Sequence, residues 1–578
     1  MLFARILDKN YMPDAPKETK TQRVERLKRE KNPWEGLAEI RHFAKEGFDS
    51  IPPEWIGTYF RWWGVYTQGD GAGVVGGSGG EGRAIPFFMV RIRIPNGILS
   101  SAQLRAVAGL TERHARGIAD LTTRQNIQLH WVTIESLPLV LEELERVGLS
   151  TMGACGDVAR NVTGCPVAGV DAEEIVDASP LALSVNNMFL GNADFVNLPR
   201  KFKISITGCK AWCTFPEIHD VGMTAVTRTV NGKPETGFAM HVAGGLSTEP
   251  HLAARLNAFV RWNQVEQVIH GTAELFRESS ELREHRDRAR LKFLFLKHGW
   301  TATDFQRELE KRIGFQLDPA ADNQAPNDQY RDHLGINAQK QAGLYYVGAS
   351  VLRGRISAQQ MYAAADLADQ FAGGELRTTN LQNLLVVNVP RQNTDALARE
   401  LDAIGFRVEA SPFWRGAVAC SGTEFCKLAI AETKGFTRWL VGELDERLPG
   451  FEQQLKLHVT GCPNSCGQHW IADIGLQGKK VKVGDRMLDA FYFCVGGSVG
   501  LHQKIARPIG YRCLATEVPD AIERLLQHYQ DERFDGENLR QFFARHEDAE
   551  LRAFLAGEIV DAVARDLPTG TVPHSLEG

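Results

Sequence analysis

Several things are scarce in this chain, and each scarcity narrows what it does. No apolar run approaches the roughly 18 residues that a membrane-spanning helix needs, and the opening residues lack the apolar core of a secretory signal. Ten cysteines in 578 residues are too few for a disulfide scaffold, and they cluster, which suggests metal binding in a reducing compartment. There is no excess of basic residues either. The net charge is −5, which offers no bulk attraction to nucleic acid. The expectation is a cytoplasmic protein with no membrane or nucleic-acid partner. No flavin or nicotinamide module is visible. Residues 69–82, GDGAGVVGGSGGEG, match G-x-G-x-x-G at Gly71, Gly73 and Gly76. However, no clear strand precedes the match and more glycines, not a helix, follow it, so the stretch reads as a flexible loop near an active-site mouth.

What is present is ordinary for a globular protein: 43% hydrophobic and 24% charged residues, enough for two to four domains. The basic stretch Lys17, Lys20, Arg23, Arg26, Lys28, Arg29 and Lys31 reads as a solvated helix face, or as part of a docking surface for an acidic electron carrier. A strand through Met89–Ile94 alternates apolar residues with Arg91 and Arg93, which puts both guanidinium groups on one face. A helix over 101–116, a strand pair over 118–130 and an amphipathic helix over 137–147 complete a β-α-β pattern of the ferredoxin-like type.

That order returns about 250 residues later. Ser101-Ala-Gln resembles Ser357-Ala-Gln, and Leu121-Thr-Thr-Arg resembles Leu376-Arg-Thr-Thr. Lys203-Ile-Ser-Ile-Thr-Gly-Cys209 resembles Lys456-Leu-His-Val-Thr-Gly-Cys462, and Gly244-Gly245 resembles Gly496-Gly497. Ordered landmarks at near-constant offset indicate an internal duplication, with the site expected between the copies. Residues 250–300 read as helical, 316–335 as a linker between the copies, Val518–Phe543 as surface helices, and the last ten residues as loose.

The most specific signal is two cysteine pairs in the second copy: Cys420-x5-Cys426 and Cys462-x3-Cys466, the latter within Thr460-Gly-Cys-Pro-Asn-Ser-Cys-Gly467. Four thiolates from two turns suit a [4Fe–4S] cube, one sulfur per iron. A zinc ion is the alternative, although five intervening residues are loose for it; unrelated thiols are the bland reading. Copy one has its own C-x3-C, Cys209 and Cys213, with Cys155 and Cys165 upstream in a C-x9-C that does not match the pattern. Cys209 and Cys213 read as relics in a core.

The pairs C-x5-C and T-G-C-P-N-x-C-G resemble the cluster signature of the siroheme-dependent sulfite and nitrite reductases, and the likeness runs over roughly residues 55 to 515. The resemblance implies that Cys420, Cys426, Cys462 and Cys466 hold a [4Fe–4S] cluster and that Cys466 is also the axial ligand of the siroheme iron. It implies that Arg91, Arg160, Lys201 and Lys203, at M-x-R-x-R-x-P, R-N-V and L-P-R-K-F-K, grip the substrate anion. It further assigns Arg124, Gln128 and His130, and with them Arg93 and Arg200, to the siroheme carboxylates. The chemistry calls for such residues: guanidinium groups bind carboxylates bidentately and stay charged, and crowded lysines pass protons.

The implied fold is α+β and internally duplicated: two ferredoxin-like half domains plus two larger α/β lobes related by a pseudo-two-fold. The expected divisions are an N-terminal arm and glycine loop (1–80), half domain one (81–150), siroheme lobe one (151–330), half domain two (331–410), cluster lobe two (411–515) and C-terminal helices (516–578). Substrate features point both ways. Lys203 and Gly244-Gly245-Leu246-Ser247 look like sulfite reductases. Ala419–Cys426, Ala431–Lys434, Gly169–Asp177 and Ala472–Gly475 look like nitrite reductases. The pocket contacts weigh more, so sulfite is the reading and nitrite the alternative. Ferredoxin is the expected donor to a monomeric enzyme, with a separate flavoprotein as the other donor. Tyr66 and Cys165 are expected near the distal haem face, conceivably joined as a thioether, or else as an ordinary tyrosine and a free thiol. A corrin-pathway oxygenase on the same scaffold and a non-catalytic iron–sulfur or zinc protein are the rival functions.

Overall fold

The computed structural model describes residues 18–72, 82–321 and 325–558. Four five-stranded sheets organise them, two for each copy. The first sheet orders Val65–Gly69, Ala84–Ile92, Ile127–Val132 and Ile118–Leu121, and its fifth strand, Arg355–Ser357, comes from the second copy. The reverse exchange completes the sheet of Gly335–Ala338, Leu344–Ala349, Leu384–Pro390 and Glu375–Thr378, which takes Ile98–Ser100 from the first copy. The half domains are therefore interlocked, and neither sheet is complete without the other copy.

Each exchanged strand runs straight into a helix, Ser101–His114 or Ala358–Phe371. Ser100 and Ser357 cap these helices, each accepting from the residue three on, while Gln103 and Gln360 reach back to close the capping box. The true correspondence is Ser100 with Ser357, one residue away from the match read in the sequence. The two helices pack together on one core that includes Leu104, Val107, Met361 and Ala365.

The two lobes share one plan. In the first, Thr163–Gly164 and Ile204–Thr207 run parallel to Val221–Val230, followed by antiparallel Lys233–Val242 and Ala254–Arg261. In the second, Ala417–Ala419, Leu457–Thr460 and Ile474–Val483 are parallel, followed by antiparallel Arg486–Val495 and Arg507–Leu514. Helices cover these sheets by apolar stripes. Val265–Glu278, for example, buries Val265, Val268, Ile269 and Phe276 at helical spacing.

Four sequence expectations change. Residues 250–300 are not all helical: Ala254–Arg261 is a strand paired with Lys233–Val242. The stretch 316–335, read as a linker, is pinned to the lobes in its later part, since Arg331 bonds Asp171 at 2.8 and 3.2 Å and Asp332 accepts from Arg415 at 2.8 Å. The basic helix Lys20–Glu30 is not a purely solvated face: Lys28 is buried, donates to Leu198 O at 2.9 Å and stands 3.6 Å from Asp157. The C-terminal helices are not merely superficial, because Leu525, Phe542 and Phe554 join the core of the second lobe. The glycine loop beyond Ala72 and the last ten residues lie outside the described residues. Among the described residues, no helix is long and apolar enough to cross a membrane.

Candidate active site

The cysteine turns follow directly from the parallel strands of the second lobe. Ala417–Ala419 and Leu457–Thr460 lie side by side, and each leads into a turn at its C-terminal end, carrying Cys420 and Cys462. Gly461 N–H donates to Cys420 Sγ at 3.2 Å and Asn464 Nδ2 donates to Cys462 Sγ at 3.5 Å. Ser465 takes a left-handed backbone (φ 55°), which turns the chain so that Cys466 is exposed while Cys462 is buried. Cys420 and Cys426 are half-buried. Burial, reinforced by Cys466, pushes the Cys426 thiol up to about 12, and the same two causes raise Cys420 and Cys462. The four sulfurs thus sit in one another's fields, and only a bound cation makes four thiolates there favourable.

A cationic wall faces this turn. Arg91 feels both Cys426 and Cys466, and is oriented by Gln128, whose Oε1 accepts from Nε at 2.9 Å and Nη2 at 2.5 Å. Gln128 in turn donates to Ser421 Oγ at 3.3 Å, beside the first cluster cysteine. Arg160 is locked onto Ala154 O at 3.1 Å and Gly156 O at 2.7 Å. Lys201 and Lys203 stand on one face of their extended segment. They are surrounded by protein yet only half-buried, as cavity-wall side chains are, and no described residue bonds to either ammonium. Burial, then Arg200 and Arg290, lowers Lys201 to about 7; burial, then Lys201 and Arg290, lowers Lys203 well below the usual lysine range.

Other expected residues are placed differently. Arg124 is half-buried, with Nη1 2.7 Å from His219 Nε2 and a bond to Asn161 O, and burial lowers it to about 9. Arg200 bonds Asp157 at 3.2 Å but keeps 31% of its side chain accessible. Two further residues expected at the siroheme carboxylates are engaged within the protein. Arg93 is 3% exposed, and its guanidinium is taken by Met152 O, Ala159 O, Arg160 O and Asn186 Oδ1. His130 is fully enclosed, bonds Asp120 at 2.9 Å and stacks on Phe425 at 3.7 Å between ring centroids. Burial would raise Asp120, yet Lys434, Arg355 and His130 hold it well below the carboxylate range.

The expected pairing of Tyr66 with Cys165 is also corrected. Tyr66 faces Cys155, Arg160, Arg61 and Arg91, and Arg91 Nη1 lies 3.0 Å from Cys155 Sγ. Cys165 instead packs with Cys209 and Cys213, because it directly follows Thr163–Gly164, the strand beside Ile204–Thr207. Cys155 and Cys165 both lie five residues from Arg160 in the chain, and only the fold shows that Cys155 is the one beside Tyr66 and Arg91.

Sequence reading missed the layer behind the wall. Arg290 grips Asp220 bidentately at 3.1 and 2.8 Å, and Asp220 also accepts the Lys203 N–H at 2.8 Å. Arg286 holds Asp157 at 2.6 and 3.1 Å. Both arginines lie in the basic run 283–297, whose charge density was the available signal.

Such a site, four converging thiols below unpaired cations, within a duplicated α+β frame, defines an iron–sulfur oxidoreductase that acts on small anions. The comparisons make the class specific. The model for the nitrite and sulphite reductase 4Fe-4S domain matches residues 155–317 and 411–555, and that for the nitrite/sulfite reductase ferredoxin-like half domain matches 86–147 and 337–404. The chain is 37% identical to an assimilatory ferredoxin-dependent nitrite reductase of Haloferax mediterranei, over 87% of this chain and 88% of that one. It is 36% identical to sulfite reductase [ferredoxin] 2 of Mycolicibacterium paratuberculosis, over 88% and 92%. The solved structure of the Mycobacterium tuberculosis NirA protein superposes with a TM-score of 0.85 at 34% identity, covering 92% of this chain and 97% of that one. The chain belongs to the nitrite and sulphite reductase family, and its cofactors are a [4Fe–4S] cluster and siroheme.

Proposed function

We propose that the chain reduces sulfite to sulfide, taking electrons from ferredoxin. The observation that carries this reading is the pair of half-buried ammonium groups, Lys201 and Lys203, which no described residue bonds and of which Lys201 lies in the field of Cys466. Cys420, Cys426, Cys462 and Cys466 would hold the cluster, with Cys466 also ligating the siroheme iron; Arg124 and Arg200, both half-buried, would reach the macrocycle's edge, and Gln128 would orient Arg91 beside it. Siroheme and the cluster, when bound, supply electrons singly to the anion. Arg91 and Arg160, fixed by Gln128 and by backbone carbonyls, hold the anion's oxygens. Lys201, lowered toward neutrality, donates protons to the departing oxygens, and Lys203 stabilises the charge that builds on them.

Nitrite is the second reading, because the cluster-side motifs and one of the similar enzymes point to it. The decisive test is side-by-side turnover of the two anions with reduced ferredoxin, together with salt dependence of the ferredoxin reaction, since steering by opposite charges weakens with ionic strength. Sulfite kcat/KM above that for nitrite supports the proposal; the reverse replaces it. Lys203→Asn should move the preference toward nitrite, and an unchanged ratio would sink the role of Lys203.

A further inference from the structure

The first lobe repeats the cysteine geometry of the second. Cys165 and Cys420 directly follow equivalent strands, and the residue before each donates its N–H to an equivalent glutamine: Gly164 to Gln125 at 3.0 Å, Ala419 to Gln382 at 2.9 Å. Cys209 and Cys213 stand where Cys462 and Cys466 stand, with the preceding residue left-handed in both turns, Trp212 at φ 49° and Ser465 at φ 55°. The fourth position differs. Six residues after Cys420 comes Cys426, but six after Cys165 comes Asp171, which is bonded to Arg331.

Into the resulting gap comes a residue of the connector, His333. Ligand atoms of Cys165, Cys213 and His333 all lie within 4.8 Å of one another. Cys209 Sγ is 3.4 Å from Cys213 Sγ and is also bonded to Cys165. All four residues are at most 5% exposed, inside a shell of Val167, Val170, Tyr346, Leu385 and Val387. Neither ring nitrogen of His333 has a hydrogen-bond partner among the described residues, a costly state for a buried imidazole. Its backbone is left-handed as well, at φ 62°, and strain of this kind collects at functional sites.

We propose that Cys165, Cys209, Cys213 and His333 form a second, mononuclear metal site that holds a zinc ion. A tetrahedron with Zn–S bonds of about 2.3 Å places sulfurs about 3.8 Å apart; Cys165, Cys213 and His333 already meet within 4.8 Å, and Cys209, held beside both other thiols, would complete the set by turning toward the imidazole. Three thiolates and an imidazole are a soft set that favours zinc over calcium or magnesium. The set is too compact for an iron–sulfur cube, whose thiolates each bind a different iron. Arg331, whose charge reaches both Cys213 and His333, lessens the net negative charge of three thiolates on a divalent ion, although it is shared with Asp171. The thiol protons leave to solvent on binding, and no redox change is involved. The ion would clip the connector to the first lobe, independently of the substrate reading above.

The test uses holoenzyme purified without a metal-affinity tag. Elemental analysis should find about one zinc per chain beside the iron, and zinc-edge X-ray absorption should show three sulfurs at about 2.3 Å and one nitrogen at about 2.0 Å. Cys213→Ser and His333→Ala should each lose the zinc while keeping the iron content and visible spectrum. Should the variants not fold, the absorption spectrum of the unaltered enzyme still decides. Zinc below about a tenth of an equivalent in iron-replete protein, a different first shell, iron in its place, retention of zinc by both variants, or a denatured mass two daltons low from a disulfide would each overturn the proposal.

Discussion

Lys203 and Lys456 occupy equivalent places in the two lobes and meet opposite fates. Each donates its backbone N–H to the aspartate seventeen residues on, Asp220 at 2.8 Å and Asp473 at 2.7 Å. In the second lobe Asp473 also takes the Lys456 ammonium, at 2.9 and 3.0 Å. In the first lobe Arg290 has already claimed Asp220, so Lys203 is left without a counter-ion. One inserted arginine thus converts a structural ion pair into a free cation. The comparison teaches that two lobes on one plan diverge through partner choice: the same buried aspartate neutralises the lysine in one and an arginine in the other.

The comparison breaks most sharply at the cysteines. Cys466→Ser should lower turnover of both anions by on the order of a thousandfold, about 4 kcal/mol in the barrier, whereas Cys213→Ser should keep the visible spectrum of the cofactors. Steady-state rates and absorption measure both. At the lysines, Lys203→Met should lower sulfite kcat by roughly a hundredfold, the usual reach of a positioned proton donor or cation. Lys456→Met should instead cost stability, about 3 kcal/mol in denaturant unfolding, because Asp473 would be left buried without its partner. Arg290→Met sharpens the point further. It frees Asp220 to capture Lys203, which should lower kcat by about tenfold, and adding Asp220→Asn should recover part of that loss.

The last comparison concerns the contacts between the lobes. Glu217 accepts Gly500 N–H at 2.5 Å in the other lobe, and its counterpart Trp470 donates to Ser247 O at 2.9 Å. Burial raises the Glu217 carboxyl from 4.5 to about 7. Between those values the folded chain holds more protons than the unfolded one. The stabilisation is therefore complete below about pH 4.5 and is lost as pH rises through 7, up to about 3 kcal/mol. Glu217→Gln should flatten that dependence in chemical denaturation, while Trp470→Phe should cost about 1 kcal/mol at every pH.

Local signals carried much of this. The cluster cysteines were legible because two short turns hold all four, and the duplication because landmarks kept their order. Arg91, Arg160, Lys201 and Lys203 were legible as residues, although not their separate states. That Cys155 rather than Cys165 lies beside Tyr66, and that Arg93 and His130 are enclosed by protein partners, was not legible, because chain distance does not report which face of a sheet is sealed. His333 carried no signal at all: a lone histidine in a polar stretch gains meaning only when the connector folds back between the copies.

By itself, the sequence determined the family, the repeat and the four-cysteine turn, since each depends on residue spacing within a strand and its adjoining loop. The tertiary structure decided which lysine stays unpaired, which cysteine faces Tyr66, and that two thiols of a three-cysteine cluster meet a histidine. Those outcomes depend on contacts between segments far apart in the chain or on competition for one buried carboxylate, and only the folded chain settles such competition.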